Sequence, residues 1–470
     1  MHHAKHYLGW SAKAAVSTSF LPRTSLRLEL FLYRRHDGLK WGLWKPLILT
    51  TLPIYPPPTA QSTIYRAELN QFILRIKGLF GIFRSNSFAW GKPRRAQIVI
   101  YPQGKSSDIL LRYLDPAEVV VIDPWSTKLN VPALILTLMR GGRKRFDYLQ
   151  ATIALIKPKF VITTTDNDML FYRLKESLPN SITIAIQNGL RGNYSSIPNG
   201  GFFDEVQRRP QLCADYIVAF GTEIAKVYEQ HIDAKVFVGG SLRNNAFISG
   251  SNIKPSNKSN KSIIYVSQLP SAPALPNDVI AYLQDQPITY SEFYAAEKIV
   301  VDILHNYCIA NNLEFTICGK QSSQCEIEQE FFGEVATSGR NSPLDSYSTL
   351  DAAHIVVTLD STLGYEFHAR GKRVLFIGGR FMHHQNESVR HMASVTFGFP
   401  AKLPQEGPYW LSDLSEGKII ERLNFLSQAT DSEVRALNIE FKDRFMTFDP
   451  DNVRLIQFFS SIGMPVRVLP

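Results

Sequence analysis

The run that begins at Asp360 has the residue types and the spacing to hold a phosphate group of a nucleotide. Ser361 and Thr362 stand where a predicted strand gives way to a predicted helix, and the free N–H groups and dipole of a helix start favour an anion. Gly364 permits close backbone approach, and the carboxylate of Glu366, one turn further, could accept both hydroxyls of a ribose. The same residues also suit a plain helix start, with Asp360 or Ser361 as the cap and Gly364 serving the packing.

A second polar run, Asp166, Asn167 and Asp168, directly follows a predicted strand in the first half of the chain. The carboxyl ends of parallel strands face the ligand cleft of an α/β fold, so either aspartate could act as a general base on an acceptor hydroxyl. We take Asp166 as the candidate catalytic residue and Asn167 as a substrate ligand. The alternative is a loop in which Asn167 or Asp168 caps the next helix.

Two further runs that follow strands contribute candidate substrate ligands. Gln187 and Asn188 offer donors and acceptors to sugar hydroxyls, and Arg191 offers positive charge to a phosphate or carboxylate. Arg243 follows a Gly-Gly-Ser run, where the backbone could come close to a diphosphate. Asn-Gly and Gly-Gly are also ordinary turn signals, so a structural role stays open for both runs.

Adjacent histidines at His383 and His384, with Glu387 close behind, suggest metal binding at first sight. Neighbouring side chains diverge on a regular element, however, and no HExxH or comparable ligand spacing is present. We therefore predict no metal site and interpret His384 as part of a nucleotide-binding loop. The sequence also lacks a Walker motif and a Gly-x-Gly-x-x-Gly fingerprint after a strand, which argues against a P-loop ATPase and an ordinary dehydrogenase.

Short apolar runs rich in β-branched residues alternate with helical patterns from about residue 96 onward, which predicts parallel, doubly wound α/β sheets. The predicted strands of the first half are Gln97–Tyr101, Glu118–Ile122, Lys159–Thr164, Ile182–Ile186, Tyr216–Phe220 and Lys235–Val238. After a stretch rich in Ser, Asn and Lys the alternation restarts, with predicted strands Ser262–Ser267, Glu314–Cys318, His354–Thr358 and Arg373–Ile377. The predicted organisation is a Rossmann-like domain at 96–248, a linker at 249–261 and a second Rossmann-like domain at 262–470.

Positive charge is concentrated before the first predicted domain. Residues 1–95 hold 15 basic and 3 acidic residues, whereas the remainder holds 36 basic and 39 acidic residues, so the net charge of +9 belongs to this N-terminal extension. Such a segment suits an anionic membrane surface, nucleic acid, or solvent alone. We expect no nucleic acid partner and keep an anionic membrane surface as a possible one.

The cysteines and the apolar stretches bear on the compartment. The four cysteines form no CxxC pair and no zinc ligand set, which favours idle thiols in a reducing compartment. The start of the chain has no cleavable signal pattern. The best apolar stretch, Trp41–Tyr55, is interrupted by Lys45, Pro46 and Pro53 and falls short of the about 20 residues that span a bilayer. We therefore expect a cytoplasmic protein, peripheral at most at the inner membrane face.

The order of these runs resembles that of bacterial surface-carbohydrate proteins of O-antigen or capsule biosynthesis with GT-B architecture, in which a cleft separates two Rossmann-like domains. The matching pieces of the first half are Lys157-Pro158-Lys159, Asp166-Asn167, Phe171-Tyr172-Arg173-Leu174, Gln187-Asn188-Gly189, Phe220-Gly221 and Gly240-Ser241-Leu242-Arg243-Asn244-Asn245. Those of the second half are Asp360–Glu366 and Ala369-Arg370-Gly371-Lys372. The resemblance covers about residues 96–400 and leaves 1–95 out.

The resemblance implies a glycosyltransferase that moves a sugar, of hexose or ulosonic-acid type, from a nucleotide-sugar donor to a surface polysaccharide or lipid-linked acceptor. By analogy with more distant GT-B enzymes, Ser361 and Thr362 would meet phosphate and Glu366 the ribose. The acceptor would bind the first domain, and no cofactor is expected beyond the nucleotide-sugar substrate. Two alternatives stay open: a sugar-nucleotide epimerase, whose halves share this architecture, and a non-catalytic partner of a polysaccharide assembly complex.

Overall fold

The computed structural model describes residues 88–467 except for gaps at 105, 124–127, 193, 196–201, 209–211, 248–260, 270–274, 284–285, 320–324, 334, 336, 339–343, 383, 385, 393–396 and 402. The predicted basic extension and the predicted linker lie almost wholly outside the described residues, as does His383. The roles predicted for these segments therefore stay predictions.

The described strands are short, and most follow the apolar runs of the sequence. In chain order they are β1 (Phe88–Ala89), β2 (Ile98–Ile100), β3 (Val119–Val121), β4 (Leu129–Asn130), β5 (Phe160–Thr163), β6 (Ile182–Ile186), β7 (Tyr194–Ser195), β8 (Cys213–Ala219), β9 (Asp233–Val238), β10 (Ser262–Val266), β11 (Val279–Leu283), β12 (Gln286–Thr289), β13 (Glu314–Cys318), β14 (Thr337–Ser338), β15 (Ile355–Thr358), β16 (Val374–Ile377), β17 (Glu406–Gly407) and β18 (Trp410–Leu411).

Helices alternate with these strands and continue after the last of them. In chain order they are α1 (Ser107–Leu110), α2 (Val131–Met139), α3 (Arg145–Ile156), α4 (Met169–Tyr172), α5 (Leu174–Ser177), α6 (Phe202–Gln207), α7 (Thr222–His231), α8 (Leu242–Ala246), α9 (Tyr290–Ala310), α10 (Cys325–Phe332), α11 (Asp345–Asp351), α12 (Thr362–Ala369), α13 (Glu387–Met392), α14 (Glu416–Gln428), α15 (Asp431–Ile439), α16 (Lys442–Phe445) and α17 (Val453–Ser461).

A six-stranded parallel sheet, in the order β3-β2-β5-β6-β8-β9, forms the first half of the described chain. Alternate residues of its strands enter two separate apolar cores: Val99 and Val161 lie in one, Ile98 and Phe160 in the other. The sheet is thus covered on both faces, which explains why its central strands β2 and β5 consist almost entirely of apolar residues. The six strands predicted for this half are confirmed to within three residues at their ends.

A second sheet follows in the order β14-β13-β10-β15-β16-β18-β17, and its described pairings are parallel except that β17 runs antiparallel to β18. Its four predicted strands are confirmed, whereas the two-residue strands β14, β17 and β18 have no signature in the sequence. The prediction of two Rossmann-like α/β units is therefore confirmed, and this is the GT-B architecture.

The last helix, α17, crosses back to the first sheet. Leu455, Phe459 and Met464 are buried in the same apolar core as Ile98, and the rings of Phe458 and Phe237 stack with centroids 4.7 Å apart. The sequence analysis placed all of 262–470 in the second domain, but this terminal segment packs on the first. The apolar pattern of α17 indicates a buried helix face without indicating which sheet buries it.

Candidate functional site

The carboxylate of Asp166 lies fully buried after the end of β5 and pairs with the guanidinium of Arg191. Arg191 Nε donates to Oδ2 at 2.7 Å and its Nη2 donates to Oδ1, so the pair is bidentate. The N–H of Asn188 donates to Oδ1 at 2.9 Å, and the hydroxyl of Tyr228 donates to Oδ2. Burial alone would lower the pKa of Arg191, but Asp166 and Tyr228 outweigh it and raise that pKa above its usual range.

This environment does not suit the role of general base that the sequence analysis gave to Asp166. A general base needs a lone pair within hydrogen-bond reach of the substrate proton. Each carboxylate oxygen already accepts two hydrogen bonds, and the hydroxyl of Tyr172 donates to the backbone oxygen of Asp166 at 2.6 Å. In this geometry Asp166 positions Arg191 and the loop after β6.

Two neighbours in the same loop have more access to solvent. Asp168 is half-buried and accepts a hydrogen bond from the N–H of Leu170 at 3.0 Å, which makes it the N-cap of α4. Burial raises the pKa of Asp168, an effect that the Leu170 hydrogen bond and the charge of Arg145 partly offset. Asn167 is exposed. Of the two aspartates, Asp168 is the one whose carboxylate a substrate could reach.

Gln187 and Asn188 hold the loops of the first unit in place. Gln187 is buried; its Nε2 donates to the backbone oxygen of Gly189 at 3.0 Å, and its Oε1 accepts from the N–H of Phe220 at 2.8 Å. Oδ1 of Asn188 accepts from Arg191 Nη2 at 2.9 Å. Both amides, predicted as sugar ligands, thus tie the loop after β6 to its neighbours.

Arg243, at the start of α8, is the predicted ligand with the most donor capacity left. Its Nη2 donates to the backbone oxygen of Asn188 at 3.0 Å, and among the described residues its Nε and Nη1 meet no acceptor. Burial raises the pKa of the Glu366 carboxyl. The positive charge of Arg243 is the largest of the effects that lower this pKa. The guanidinium therefore lies between the two units, where it can still bind an anion.

The loop after β15 meets the loop after β6 across the cleft. Thr362 Oγ1 accepts from the N–H of Leu190 at 3.1 Å, which joins the second unit to the first. Ser361 is the N-cap of α12, and its Oγ accepts from the N–H of Leu363 at 3.4 Å. The two hydroxyls predicted to hold a phosphate therefore do lie at a helix start that faces the other unit.

Gly364 packs α12 closely onto the second sheet. A Cβ at this position would lie 2.5 Å from Cγ2 of Thr358 and 2.9 Å from Cε1 of Phe376. Both atoms belong to strands, so the missing side chain serves helix–sheet packing. The structure gives Gly364 this role rather than the predicted approach of backbone to a ligand.

Glu366 is buried at the boundary between the two units. Ser241, from the first unit, donates to its Oε1 at 2.5 Å, and Tyr347, from the second, donates to its Oε2 at 2.7 Å. Asn244 Nδ2 also donates to its backbone oxygen at 3.3 Å. The carboxylate predicted to bind a ribose is thus held by two protein hydroxyls and is buried, so a ribose could reach it only after the groups that cover it move apart.

His384 makes its described contacts to residues other than the predicted ligands above. Its Nε2 is 3.4 Å from Oε1 of Glu292, near the start of α9, and its Nδ1 accepts from the N–H of Asn386 at 3.0 Å. The side chain is buried. Among the described residues it makes no hydrogen bond to the predicted phosphate-binding residues, and its nucleotide-binding role stays a prediction.

A buried cation that the sequence analysis did not single out fixes the loop after β15. Arg380 Nη2 donates to Asp360 Oδ1 at 2.8 Å and its Nη1 to Glu297 Oε1 at 3.2 Å. Its guanidinium carbon lies 4.4 Å from the ring centre of Phe293. Burial raises the pKa of Glu297, and the charge of Arg380 works against that rise. These contacts hold Asp360, and with it the start of α12, against α9.

A small pocket opens beside the network. It is lined by Gln187, Leu190, Arg191, Phe220, Ile224, Phe399 and Phe445. The first five belong to loops and a helix of the first unit, and the two phenylalanines come from the later part of the chain. Gln187 and Arg191 give this pocket polar and cationic atoms, whereas its other five lining residues are apolar. Its volume of about 10 Å³ has room for about one water molecule.

Two features are absent from the described residues. They contain no group of three or more His, Cys, Asp or Glu side chains placed to hold a metal ion. None of their helices combines the length and apolar character needed to cross a bilayer.

Much of the chain, including most of the loops just described, is similar in sequence to a known protein family. A family described as "putative O-antigen biosynthesis protein" matches residues 184–462, more than half of the chain. The chain belongs to this family. The resemblance to O-antigen biosynthesis proteins noted in the sequence is thereby confirmed, and the match includes Gln187, Arg243 and the whole of α12. Among curated proteins, no relative is detectable by sequence.

Three solved structures resemble this chain over most of its length, each with a TM-score under 0.5. The wall teichoic acid polymerase TagF is 12% identical over 78% of this chain and 88% of its own, with a TM-score of 0.43. MnaA of S. aureus in complex with UDP is 10% identical over 79% and 98%, with a TM-score of 0.46. The UDP-GlcNAc 2-epimerase of Methanocaldococcus jannaschii is 11% identical over 78% and 100%, with a TM-score of 0.45.

Proposed function

We propose that this O-antigen family member is a glycosyltransferase that moves a sugar from a nucleotide-sugar donor to a surface polysaccharide or lipid-linked acceptor. One observation carries the proposal: the loops at the carboxyl ends of the two sheets meet through Leu190–Thr362 and Ser241–Glu366 contacts. Ligands of α/β folds bind at such strand ends. Membership of the family supports the surface-carbohydrate assignment.

The donor diphosphate would lie between Arg243 and the start of α12. Arg243 supplies donors that meet no acceptor among the described residues, and the N-terminus of α12 favours an anion. The ribose would take the place of Ser241 on Glu366. Because Ser241 belongs to the first unit, the two units must separate before the donor enters and close again afterwards, which also excludes water.

The proton of the acceptor hydroxyl would go to Asp168 rather than to Asp166. Asp168 is half-buried in the loop after β5, and its carboxylate keeps acceptor capacity beside the Leu170 hydrogen bond. A raised pKa brings a carboxylate closer to the range in which a general base works best. Arg191, held by Asp166, would stabilise negative charge that develops nearby.

A nucleotide screen on the full chain tests the donor site. A nucleoside diphosphate or its sugar conjugate present at 100 times its Kd should stabilise the fold by about 2.7 kcal/mol in a thermal-shift assay. Glu366→Ala should weaken that ligand strongly, whereas Glu229→Ala, an exposed glutamate on α7, should leave it unchanged. Equal affinity in the two variants would contradict the assignment of Glu366.

The second candidate is a non-catalytic partner in polysaccharide assembly, and one observation favours it. Asp166 and Glu366 are both buried and hydrogen-bonded by protein groups, as expected of residues with a structural role. Such a protein would bind no nucleotide in calorimetry. If nucleotide does bind, release of free nucleoside diphosphate only in the presence of an acceptor separates a transferase from an epimerase.

A further inference from the structure

The helix α2 presents an unusual apolar surface to solvent. It begins after Asn130, whose side chain accepts from the N–H of Ala133 at 3.0 Å, and contains no charged residue. Ile135, Leu138 and Met139 are 52%, 64% and 79% exposed. Residues spaced three and four apart share one helix face, so these three side chains form a single exposed apolar strip.

A large aromatic side chain lies near the start of the same helix. Trp90 is 65% exposed and follows β1, which pairs with β4 directly before α2. The side chain of Asn130 donates to the backbone oxygen of Gly91 at 2.8 Å, so the Trp90 segment is fixed against the helix start. Tryptophan is enriched where a protein meets the headgroup region of a bilayer.

Basic residues flank the strip on both sides. Arg140, Arg143 and Lys144 are exposed and directly follow α2, and Lys92 and Arg95 are exposed directly after Trp90. Neither 88–95 nor 128–145 contains an aspartate or glutamate. The next acidic residue, Asp147, accepts from the backbone N–H groups of residues 143 and 144 at 2.7 and 2.8 Å.

Chain topology places the basic loop 140–144, which follows α2, at the edge of the first sheet that carries the candidate site. After α2, the helix α3 leads back to the start of β5, which runs parallel to its neighbours. The start of α3, and with it the loop 140–144, therefore lies on the side of the carboxyl ends of the strands. Asp166 and Asn188 follow the carboxyl ends of β5 and β6.

We propose that Trp90, Ile135, Leu138 and Met139, together with the basic residues that flank them, form a surface that docks on an anionic lipid bilayer. Uncharged apolar side chains would enter the headgroup region while the basic residues meet lipid phosphates. Nucleic acid would match the charge but offers no apolar layer for such a strip. The inference does not depend on the proposed glycosyl transfer, since it concerns only where the protein binds.

Vesicle co-sedimentation of the full chain tests the docking surface. Binding to vesicles of phosphatidylcholine with phosphatidylglycerol should fall at least about tenfold in Leu138→Gln/Met139→Gln, because apolar side chains no longer enter the bilayer. It should fall by at least the same factor in Arg140→Gln/Arg143→Gln/Lys144→Gln, because each basic residue near an anionic surface contributes about fivefold to the affinity. High salt should weaken binding of the wild type, and vesicles of phosphatidylcholine alone should bind much less.

Matched variants elsewhere on the surface separate docking from a general loss of apolarity or charge. Ile309→Gln/Ile439→Gln removes two apolar side chains that are 68% and 75% exposed, and Lys235→Gln/Lys298→Gln/Lys442→Gln removes three exposed lysines. Both should bind vesicles as the wild type does. Unchanged binding of the α2 variants, or a dimer without vesicles that these variants abolish, would overturn the proposal.

Discussion

Ser241 on the first α/β unit donates a hydrogen bond to the buried carboxylate of Glu366 on the second. The same carboxylate accepts from Tyr347 of its own unit at 2.7 Å. The two hydroxyls therefore form a matched pair: both satisfy Glu366, but only that of Ser241 bridges the cleft.

Ser241→Ala and Tyr347→Phe should each lower the free energy of unfolding by about 1–3 kcal/mol, because a buried carboxylate loses a donor. Only Ser241→Ala should also loosen the cleft. Ser241 also caps α8, since its Oγ accepts from the N–H of Asn244 at 3.3 Å, so α12 is the informative helix. Hydrogen exchange at α12 should increase in Ser241→Ala, and in Tyr347→Phe it should not exceed the general destabilisation. Identical exchange profiles in the two variants would show that the contact does not hold the units together.

Removing one member of the Asp166–Arg191 pair should lower the free energy of unfolding strongly. Removing both members should lower it by less than the sum of the two single changes. Arg191→Gln leaves a fully buried carboxylate without its cation and should cost about 3–5 kcal/mol of unfolding free energy. Asp166→Asn/Arg191→Gln should cost less than the sum of the two single changes, by about 1–3 kcal/mol in a double-mutant cycle from urea unfolding. Strictly additive costs would contradict this buried pair.

Asp168→Asn tests the proposed base. The asparagine can still cap α4, so the fold should persist while kcat falls by about 10²–10⁴-fold and the donor KM changes little. Burial raises the pKa of Asp168, and a base works when deprotonated, so wild-type kcat should decline as pH falls through that raised pKa. Asp302→Asn, which changes an exposed aspartate on α9, is the control and should keep the wild-type kcat. A normal kcat in Asp168→Asn would exclude the role.

The sequence allowed the strands to be predicted, and also the edge of each sheet at which the candidate residues lie, because both leave local signatures. A strand buried on both faces, such as Ile98–Ile100, is continuously apolar. A polar residue just after such a strand must lie at the carboxyl edge of the sheet, which is where Asp166, Asn188 and Thr362 are found.

The functional state of those residues could not be predicted, because it depends on partners far along the chain. Glu366 and Ser241 are 125 positions apart, and Asp166 and Tyr228 are 62 apart. No local pattern shows that Tyr228 donates a hydrogen bond to the carboxylate of Asp166. Nor does one show that Ser241 and Tyr347 donate to Glu366, which was predicted to bind substrate. The packing of α17 on the first sheet could not be predicted for the same reason, because its partners lie far away in the sequence.

His368 should make the fold sensitive to acid. Its ring is buried among Tyr409 and Phe397, with centroids 4.9 and 5.6 Å away, and among the described residues its Nε2 has no hydrogen-bond partner. Burial lowers its pKa to about 3, against a smaller opposite effect of Asn438. In the unfolded chain the His368 ring takes up a proton once the pH falls below its ordinary pKa of about 6.5, whereas in the folded chain the ring stays neutral until about pH 3. The free energy of unfolding therefore decreases as the pH falls from about 6.5.

The expected loss from this group is about 2–3 kcal/mol at about pH 4.5. His368→Phe should remove it, so the difference in unfolding free energy between neutral and acid pH should shrink by that amount. His305→Phe, a change at a half-exposed histidine on α9, is the control and should keep the wild-type pH dependence. Parallel pH profiles for His368→Phe and wild type would mean that the buried ring is protonated in the folded state.

Gly240 should be essential for the chain to pass from the second unit back to the first. Its φ of +74° suits glycine, and a Cβ there would lie 2.0 Å from the backbone oxygen of Thr447, in the segment that leads to α17. Gly240→Ala should therefore cost several kcal/mol, at least about 2, by combining an unfavourable backbone conformation with a clash. Gly417→Ala, where nothing lies within 4 Å of the added Cβ on α14, should instead stabilise by up to about 1 kcal/mol. Urea unfolding of the two variants measures the change in unfolding free energy, which should be a loss for Gly240→Ala and a gain for Gly417→Ala. An unchanged unfolding free energy in Gly240→Ala would show that the terminal segment can lie elsewhere.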